Sequence, residues 1–239
     1  MSALEQYFSQ PKFTRPRRLI VAVVGPVKSG KTTLGLTATE LGPLAMLDYD
    51  YGTEGPISNF SGRKIWHLPL DVPTSMLLEK DVTLEDYKRT WIKAKEAYYT
   101  ALSDPTIKTI LVDTATEWWE ACRLSFFGKL DKVWPQNRYA EPNGEYRKLI
   151  RDALEHPDKN IILNHHVKDE WVGDSRTGNK VFAGFSGTMA LVQMVVSLTK
   201  DDLTIVDCRH KRILEGTKLP SSIATFPQLL NLVHGPEVD

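Results

Sequence analysis

The sequence predicts an α/β protein: a mostly parallel central sheet flanked by helices, with antiparallel strands near the C-terminus. Three observations carry that expectation. Short apolar runs of strand length alternate with segments of helical periodicity, the pattern of a sheet covered on both faces. The run Leu19-Ile20-Val21-Ala22-Val23-Val24 leads into Gly25-Pro26-Val27-Lys28-Ser29-Gly30-Lys31-Thr32. That octapeptide fits G-x-x-x-x-G-K-[ST], and a helical segment leads out of it through Thr33. Residues able to do chemistry end several of the apolar runs, where open α/β sheets bind ligands.

Composition sets the limits. The chain has 239 residues, 41% hydrophobic and 25% charged, an ordinary globular balance. Residues 1–18 read as an N-terminal arm and 19–239 as one domain. Thirty basic and thirty acidic side chains cancel, so any nucleic-acid contact must be a local patch. Cys122 and Cys208 have no metal spacing and read as reduced thiols. No apolar run approaches a membrane span, and the first residues carry no signal-peptide pattern. The reading is therefore cytoplasmic, with no membrane partner, in a cell or in the host of a phage.

In chain order, the arm carries Lys12, Arg15, Arg17 and Arg18, and is either solvated or packs on a neighbouring subunit through Leu4, Tyr7 and Phe8. A strand over about 19–24 precedes a helix over about 31–41, stopped by Gly42 and Pro43. Leu44–Leu47 is a second buried strand ending in Asp48-Tyr49-Asp50, and Arg63–Leu68 an edge strand. Leu84, Tyr87, Trp91, Ala94, Tyr98 and Ala101 recur at helical spacing, an aromatic stripe suited to core packing. Thr109–Asp113 is a third strand, and Thr114 with Glu117 makes a capping-box pattern for the next helix. Residues 131–143 read as a loop and Glu145–Glu155 as a helix capped by Asn143 or Gly144. Asn160–His165 is a fourth buried strand, residues 174–179 the turn of a hairpin, and 192–198 and 203–208 two more strands. A short apolar stretch, Phe226–Val233, closes the chain.

The chemistry concentrates at strand ends. Gly25 to Thr33 would cradle a triphosphate with loop N–H groups, Lys31 reaching the β- and γ-phosphates and the Thr32 hydroxyl binding Mg²⁺. Asp113, after Ile110-Leu111-Val112, has the Walker B arrangement for holding that ion. Thr114 occupies the place after it, so the general base falls to Asp50 or Asp48, expected to share a strand face, with Glu117 as runner-up. His165, or His166 beside it, can meet the γ-phosphate. Arg209, Lys211 and Arg212 close the sixth strand and are candidates to act across a subunit boundary. Lys168, Trp171, Arg176, Lys180 and Phe182 interleave cations with rings, as single-stranded nucleic acid requires. A hairpin packing its own aromatics explains them equally.

Gly25–Thr33, Leu47-Asp48-Tyr49-Asp50, Leu111-Val112-Asp113 and Leu163-Asn164-His165, in that order, resemble the RecA-like ATPase core. Within that group the chain resembles small phage-encoded ATP-binding proteins associated with single-strand annealing and recombination, over residues 18–215. The resemblance implies an ATPase using ATP and Mg²⁺, a catalytic acid at Asp50, and a phosphate sensor at His165 in place of glutamine. It implies a DNA loop over 167–187 and assembly as a homo-oligomeric ring or filament on single-stranded DNA, with a single-strand-binding protein as a further partner. Aspartate in place of glutamate at 50 points to slow hydrolysis. A GTPase reading draws on Thr199-Lys200-Asp201-Asp202, but Asp113-Thr114-Ala115-Thr116 lacks the glycine of D-x-x-G. A partition-type ATPase would need a lysine where Pro26 stands. A small-molecule kinase, and an ATP-dependent binding module that scarcely hydrolyses, compete with the ATPase reading as well.

Overall fold

The computed structural model describes residues 17–78, 81–129 and 139–235. Its strands are β1 (Ile20–Val24), β2 (Leu44–Asp48), β3 (Ile65–Pro69), β4 (Thr109–Asp113), β5 (Asn160–His165), β6 (Val167–Val172), β7 (Ser175–Phe182), β8 (Met194–Leu198), β9 (Asp202–Cys208) and β10 (Lys218–Pro220). Its α-helices are α1 (Lys31–Leu36), α2 (Glu54–Ser58), α3 (Pro73–Met76), α4 (Leu84–Ser103), α5 (Ala115–Phe127), α6 (Ala140–Ala153) and α7 (Phe226–His234).

Eight strands form one sheet in the order β10-β9-β8-β1-β5-β4-β2-β3. From β8 to β3 every pairing is parallel, while β9 and β10 run antiparallel at one edge. The fold class expected from the sequence is the one found. β1, β2, β4 and β5 are buried along their whole length because both faces are covered, which is why they read as unbroken apolar runs. On one face, α4, α5 and α6 bring Trp91, Trp118, Tyr98 and Tyr146 together, with Trp118 at the centre, 5.1 Å from each tyrosine ring. Burying a side chain as large as Trp118 stabilises the fold by roughly 3 kcal/mol. On the other face lie α1, its 3-10 continuation Thr37–Leu41, and α7, through Leu34, Leu36, Leu229 and Leu230.

Four local expectations are corrected. The loop expected to run to 143 gives way to α6 at Ala140, and Pro142 sits in the first turn, where no N–H is needed; residues 130–138 lie outside the described chain. The hairpin turns at Gly173-Asp174, between paired Val172 and Ser175, not over 174–179. Gly178 (φ +84°) lies within β7 beside the register shift. Thr114 caps α5, but Glu117 does not answer it and instead accepts from Thr74. β2 ends at Asp48, so Asp48 and Asp50 do not share a strand face.

Candidate nucleotide site

The loop after β1 fixes the site. Gly25 N–H donates to His165 O (3.1 Å), tying the loop to the end of β5. A Cβ at Gly25 would lie 2.2 Å from Leu198 O at the end of β8, so only glycine lets the chain pass between its two neighbours. Lys28 (φ +61°) and Gly30 (φ +95°) take left-handed conformations, which turn successive N–H groups inward and start α1. Pro26, Val27 and Lys28 are exposed, and Ser29 is buried.

Lys31 is 5% exposed and its Nζ donates to Gly25 O (3.0 Å) and Pro26 O (2.8 Å). Burial lowers its pKa, against the pull of Asp113 and Asp50. Thr32 Oγ1 donates to Asp113 Oδ2 at 2.6 Å. Asp113 is buried, and its carboxyl is pushed up to about 6 by that burial. Its contacts with Thr32 and Asn164 oppose the rise, and Asp50 and Asp48 add to it. Asn164 faces Asp113 in the strand register, though its amide falls short of a full hydrogen bond.

A hydroxyl and a buried carboxylate meeting in this way fit a hard divalent ion such as Mg²⁺, which takes one or two protein oxygens and completes its shell with phosphate and water. Among the described residues no cluster of three or more His, Cys, Asp or Glu is arranged as a metal cage.

Asp48 and Asp50 part company. Asp48 is 4% exposed and accepts from Thr53 Oγ1, Asp50 N–H (2.8 Å) and His67 Nε2 (2.7 Å), so it is spent on holding the turn after β2. Asp50 is exposed and is among the charges felt by Lys31, Asp113 and His166. The runner-up base, Glu117, is tied to Thr74.

The two histidines also separate. His165 is fully buried, its ring 4.4 Å from Phe182 and its Nδ1 3.2 Å from Ala183 O, and burial drives its pKa down to about 3. His166 is half-buried, with Lys31 and Asp50 as its charged neighbours and Nδ1 without a partner. His166 is thus the more open of the pair, and His165 the packed one.

The hairpin β6–β7 springs from this point. Thr116 Oγ1 donates to Ala183 O (3.0 Å) and accepts from His166 N–H (3.0 Å), which pins the hairpin root to the start of α5. Lys168, Trp171, Arg176 and Lys180 are exposed on it. Lys180 and Arg176 both pair with Asp169, and Arg176 lies over the Trp171 ring at 5.0 Å. Phe182 packs inward on His165, so it does not offer a stacking face.

Arg209, Lys211 and Arg212 lie elsewhere. β9 runs antiparallel, and its last residue, Cys208, pairs with Met194, the first residue of β8. The three cations therefore follow the end of β9 that lies at the opposite end of the strands from the P-loop, where Lys211 Nζ donates to Leu232 O (2.9 Å). They do not join this chain's own site.

One feature has no sequence signal. A cleft of about 450 Å³ opens beside the loop and α1, lined by Thr33, Thr37, Leu198, Lys200, Ser221 and Thr225. The segment after β10 carries no motif, and only the reversal of β9 and β10 brings it here.

A phosphate loop on β1, a buried carboxylate at the end of β4, and β5 between them define a P-loop ATPase with a RecA-like fold. A family model described as an AAA domain matches residues 17–199, and the chain belongs to that family. Among solved structures, the RadB recombinase aligns with TM-score 0.50 and 16% identity over 85% of this chain and 86% of its own. An ATPase from the type III secretion system of pathogenic bacteria aligns with TM-score 0.50 and 12% identity over 76% of this chain and 51% of its own, so the chain spans about half its length. At these identities the likeness is one of fold. No curated protein matches the chain.

Proposed function

We propose that the chain binds ATP with Mg²⁺ at Gly25–Thr33 and hydrolyses it, acting on single-stranded DNA in recombination or replication, of a phage or of a cell. The observation that carries the reading is the 2.6 Å contact of Thr32 with Asp113 beside Lys31, with Asp50 and His166 at the neighbouring strand ends. When bound, Mg²⁺ supplies charge neutralisation at the phosphates. Lys31 gives up its two carbonyl contacts to donate to phosphate oxygens. Asp50 orients a water and takes its proton as the water oxygen bonds the γ-phosphorus and the bond to the β–γ bridging oxygen breaks. Of the two histidines, His166 is the better placed to donate to the γ-phosphate, and His165 backs it. The base and ribose lie in the cleft between α1 and Ser221–Thr225.

Single-stranded DNA is supported by the placement of an exposed hairpin with Lys168 and Trp171 at the sensor-strand end, and by the RecA-like neighbours, one of them a recombinase. The same neighbours support assembly as a ring or filament of like chains. In such an assembly Arg209, Lys211 and Arg212 would reach a nucleotide only from the far strand end of an adjacent copy. A single-strand-binding protein is the natural further partner on such DNA.

The test is ATP turnover measured with and without single-stranded DNA, at two salt concentrations. Turnover should rise with DNA and the rise should shrink with salt. Equal rates in both would remove the DNA reading in favour of a binding module or a small-molecule kinase.

A further inference from the structure

The turn that presents Asp50 is tied at both ends to one side chain. Asp48 Oδ1 accepts from Asp50 N–H (2.8 Å), and Asp48 Oδ2 accepts from the Thr53 hydroxyl. Thr53 is buried and stands at the start of α2, so the two bonds span the chain between β2 and that helix. The backbone of Asp50 is thus placed by Asp48. Its own carboxylate stays exposed, with Gly52 N–H 3.4 Å from Oδ1.

A third donor reaches Asp48 from outside the turn. His67 lies on β3, two residues before Pro69, the register partner of Asp48. That spacing puts His67 on the same face of the sheet as Asp48, the α1 face, where Met46 and Ile65 also pack. Its Nε2 is 2.7 Å from Asp48 Oδ2. A carboxylate oxygen only accepts, so the ring nitrogen donates. With Thr53 and His67 both on Oδ2, the carboxylate cannot swing about its last torsion, and Oδ1 is held toward Asp50 N–H. Fastening β3 to β2 does not require this bond, because the strands are already paired from Leu44 with Ile65 to Asp48 with Pro69. What the imidazole adds is the orientation of a buried carboxylate. The His67 side chain is 32% exposed at the sheet edge, so it can be exchanged without opening the core.

We propose that His67 is a positioning residue for ATP hydrolysis: through Asp48 it holds the turn over 49–53, and so sets how the Asp50 carboxylate meets the attacking water. This deepens the reading of Asp50 as general base and rests on it. Removing the imidazole leaves Lys31, Thr32 and Asp113 untouched, so ATP binding should hold while the chemical step slows. The test is a cycle of ATP turnover on the full chain without DNA, using wild type, Asp50→Asn, His67→Leu and the double variant. His67→Leu should lower kcat by about 10- to 100-fold, with KM for ATP within about threefold. In the Asp50→Asn background the same change should alter kcat by less than about threefold, because a residue acting through Asp50 has nothing left to act on. His67→Gln, whose amide donates from a similar reach, should recover kcat to within about threefold of wild type. Should His67→Leu not fold, His67→Phe, which keeps a ring and removes the donor, takes its place in the cycle. A lower Tm with unchanged kcat in the folded variant means that His67 only fastens β3, and overturns the proposal. So does an equal loss of kcat in both backgrounds, and so does a His67→Gln protein as slow as His67→Leu. Asp50→Asn turning over at the wild-type rate overturns the reading of Asp50 and this proposal with it. A slow Asp50→Asn beside a fast His67→Leu overturns this proposal alone.

Discussion

Replacing Asp113 with asparagine should stabilise the nucleotide-free protein while destroying its response to Mg²⁺ and ATP. Burial lifts this carboxyl from 3.8 to about 6. Between those values the folded chain keeps a proton that the unfolded chain has lost. This group's contribution to stability therefore falls as pH rises from about 4 to 6, and stays at its low value above that. The full penalty at pH 8 is about 3 kcal/mol. Asparagine cannot ionise, but it loses one acceptor oxygen facing Thr32, which returns about 1 kcal/mol. The net gain of about 2 kcal/mol corresponds to roughly 4–8 °C in Tm for a chain of this size. Thermal melts of both proteins at pH 5 and pH 8, with chelator and then with Mg²⁺ and ATP, measure it. At pH 5 the gap should fall to about half or less. Adding saturating ligand should raise the wild-type melt, by about 2.7 kcal/mol at a hundredfold excess over Kd, and leave the variant nearly unmoved. A variant that melts below wild type at pH 8 without ligand, or a gap equal at both pH values, refutes the reasoning.

Three other substitutions probe the rest of the site. Lys31→Ala should abolish ATP binding or turnover, and retained hydrolysis would sink the site assignment. Asp50→Asn should lower kcat by about 10²–10⁴-fold while ATP affinity stays within a few fold, the mark of a general base; unchanged kcat removes Asp50 from the chemistry. Gly25→Ala puts a Cβ 2.2 Å from Leu198 O, a clash with backbone that no rotamer relieves, so it should cost about 1–3 kcal/mol of stability and most of the nucleotide affinity. A chemical melt and an ATP-binding titration read both, and wild-type values in either would mean that the loop and β8 are less tightly joined than the register implies.

The phosphate loop was legible because its requirements are local: two glycines, a lysine and a hydroxyl between a strand and a helix. The partners of that loop were legible as strand ends, but strand ends alone do not say which way a side chain looks. Asp48 and Asp50 were expected together, yet Asp48 turns to Thr53 and His67 and the chain leaves the strand before Asp50. β5 ends at His165 and His166 lies between it and β6, so tertiary packing against Phe182 decides that His165 is the enclosed one. The antiparallel course expected near the C-terminus is the one found, but which residues it sets beside the loop was the harder gap, because that depends on the order and register of the whole sheet. That course carries Arg209, Lys211 and Arg212 away from the loop and brings Ser221–Thr225 to it. Pro142, Asn143 and Gly144 misled for the opposite reason: Pro142 falls in the first turn of α6, where its missing N–H costs nothing, and Gly144 just beyond it is outweighed by the buried face of Tyr146, Leu149 and Ile150.

What joins the site to the rest of the chain is a short run of hydrogen bonds that no motif encodes. Gly25 N–H is held by His165 O, Ala183 N–H by His166 O, and Ala183 O by Thr116 Oγ1. The phosphate loop, the end of β5, the start of α5 and the root of the hairpin are therefore joined through the consecutive carbonyls of His165 and His166 and through Ala183. His166 cannot shift toward a phosphate without moving the carbonyl that holds Ala183, and Ala183 is the residue after β7. Because His165 is enclosed beside Phe182, the strand end cannot absorb such a shift by bending there. On the proposed reading, in which His166 meets the γ-phosphate, its displacement would reach the hairpin root through the same hydrogen bonds.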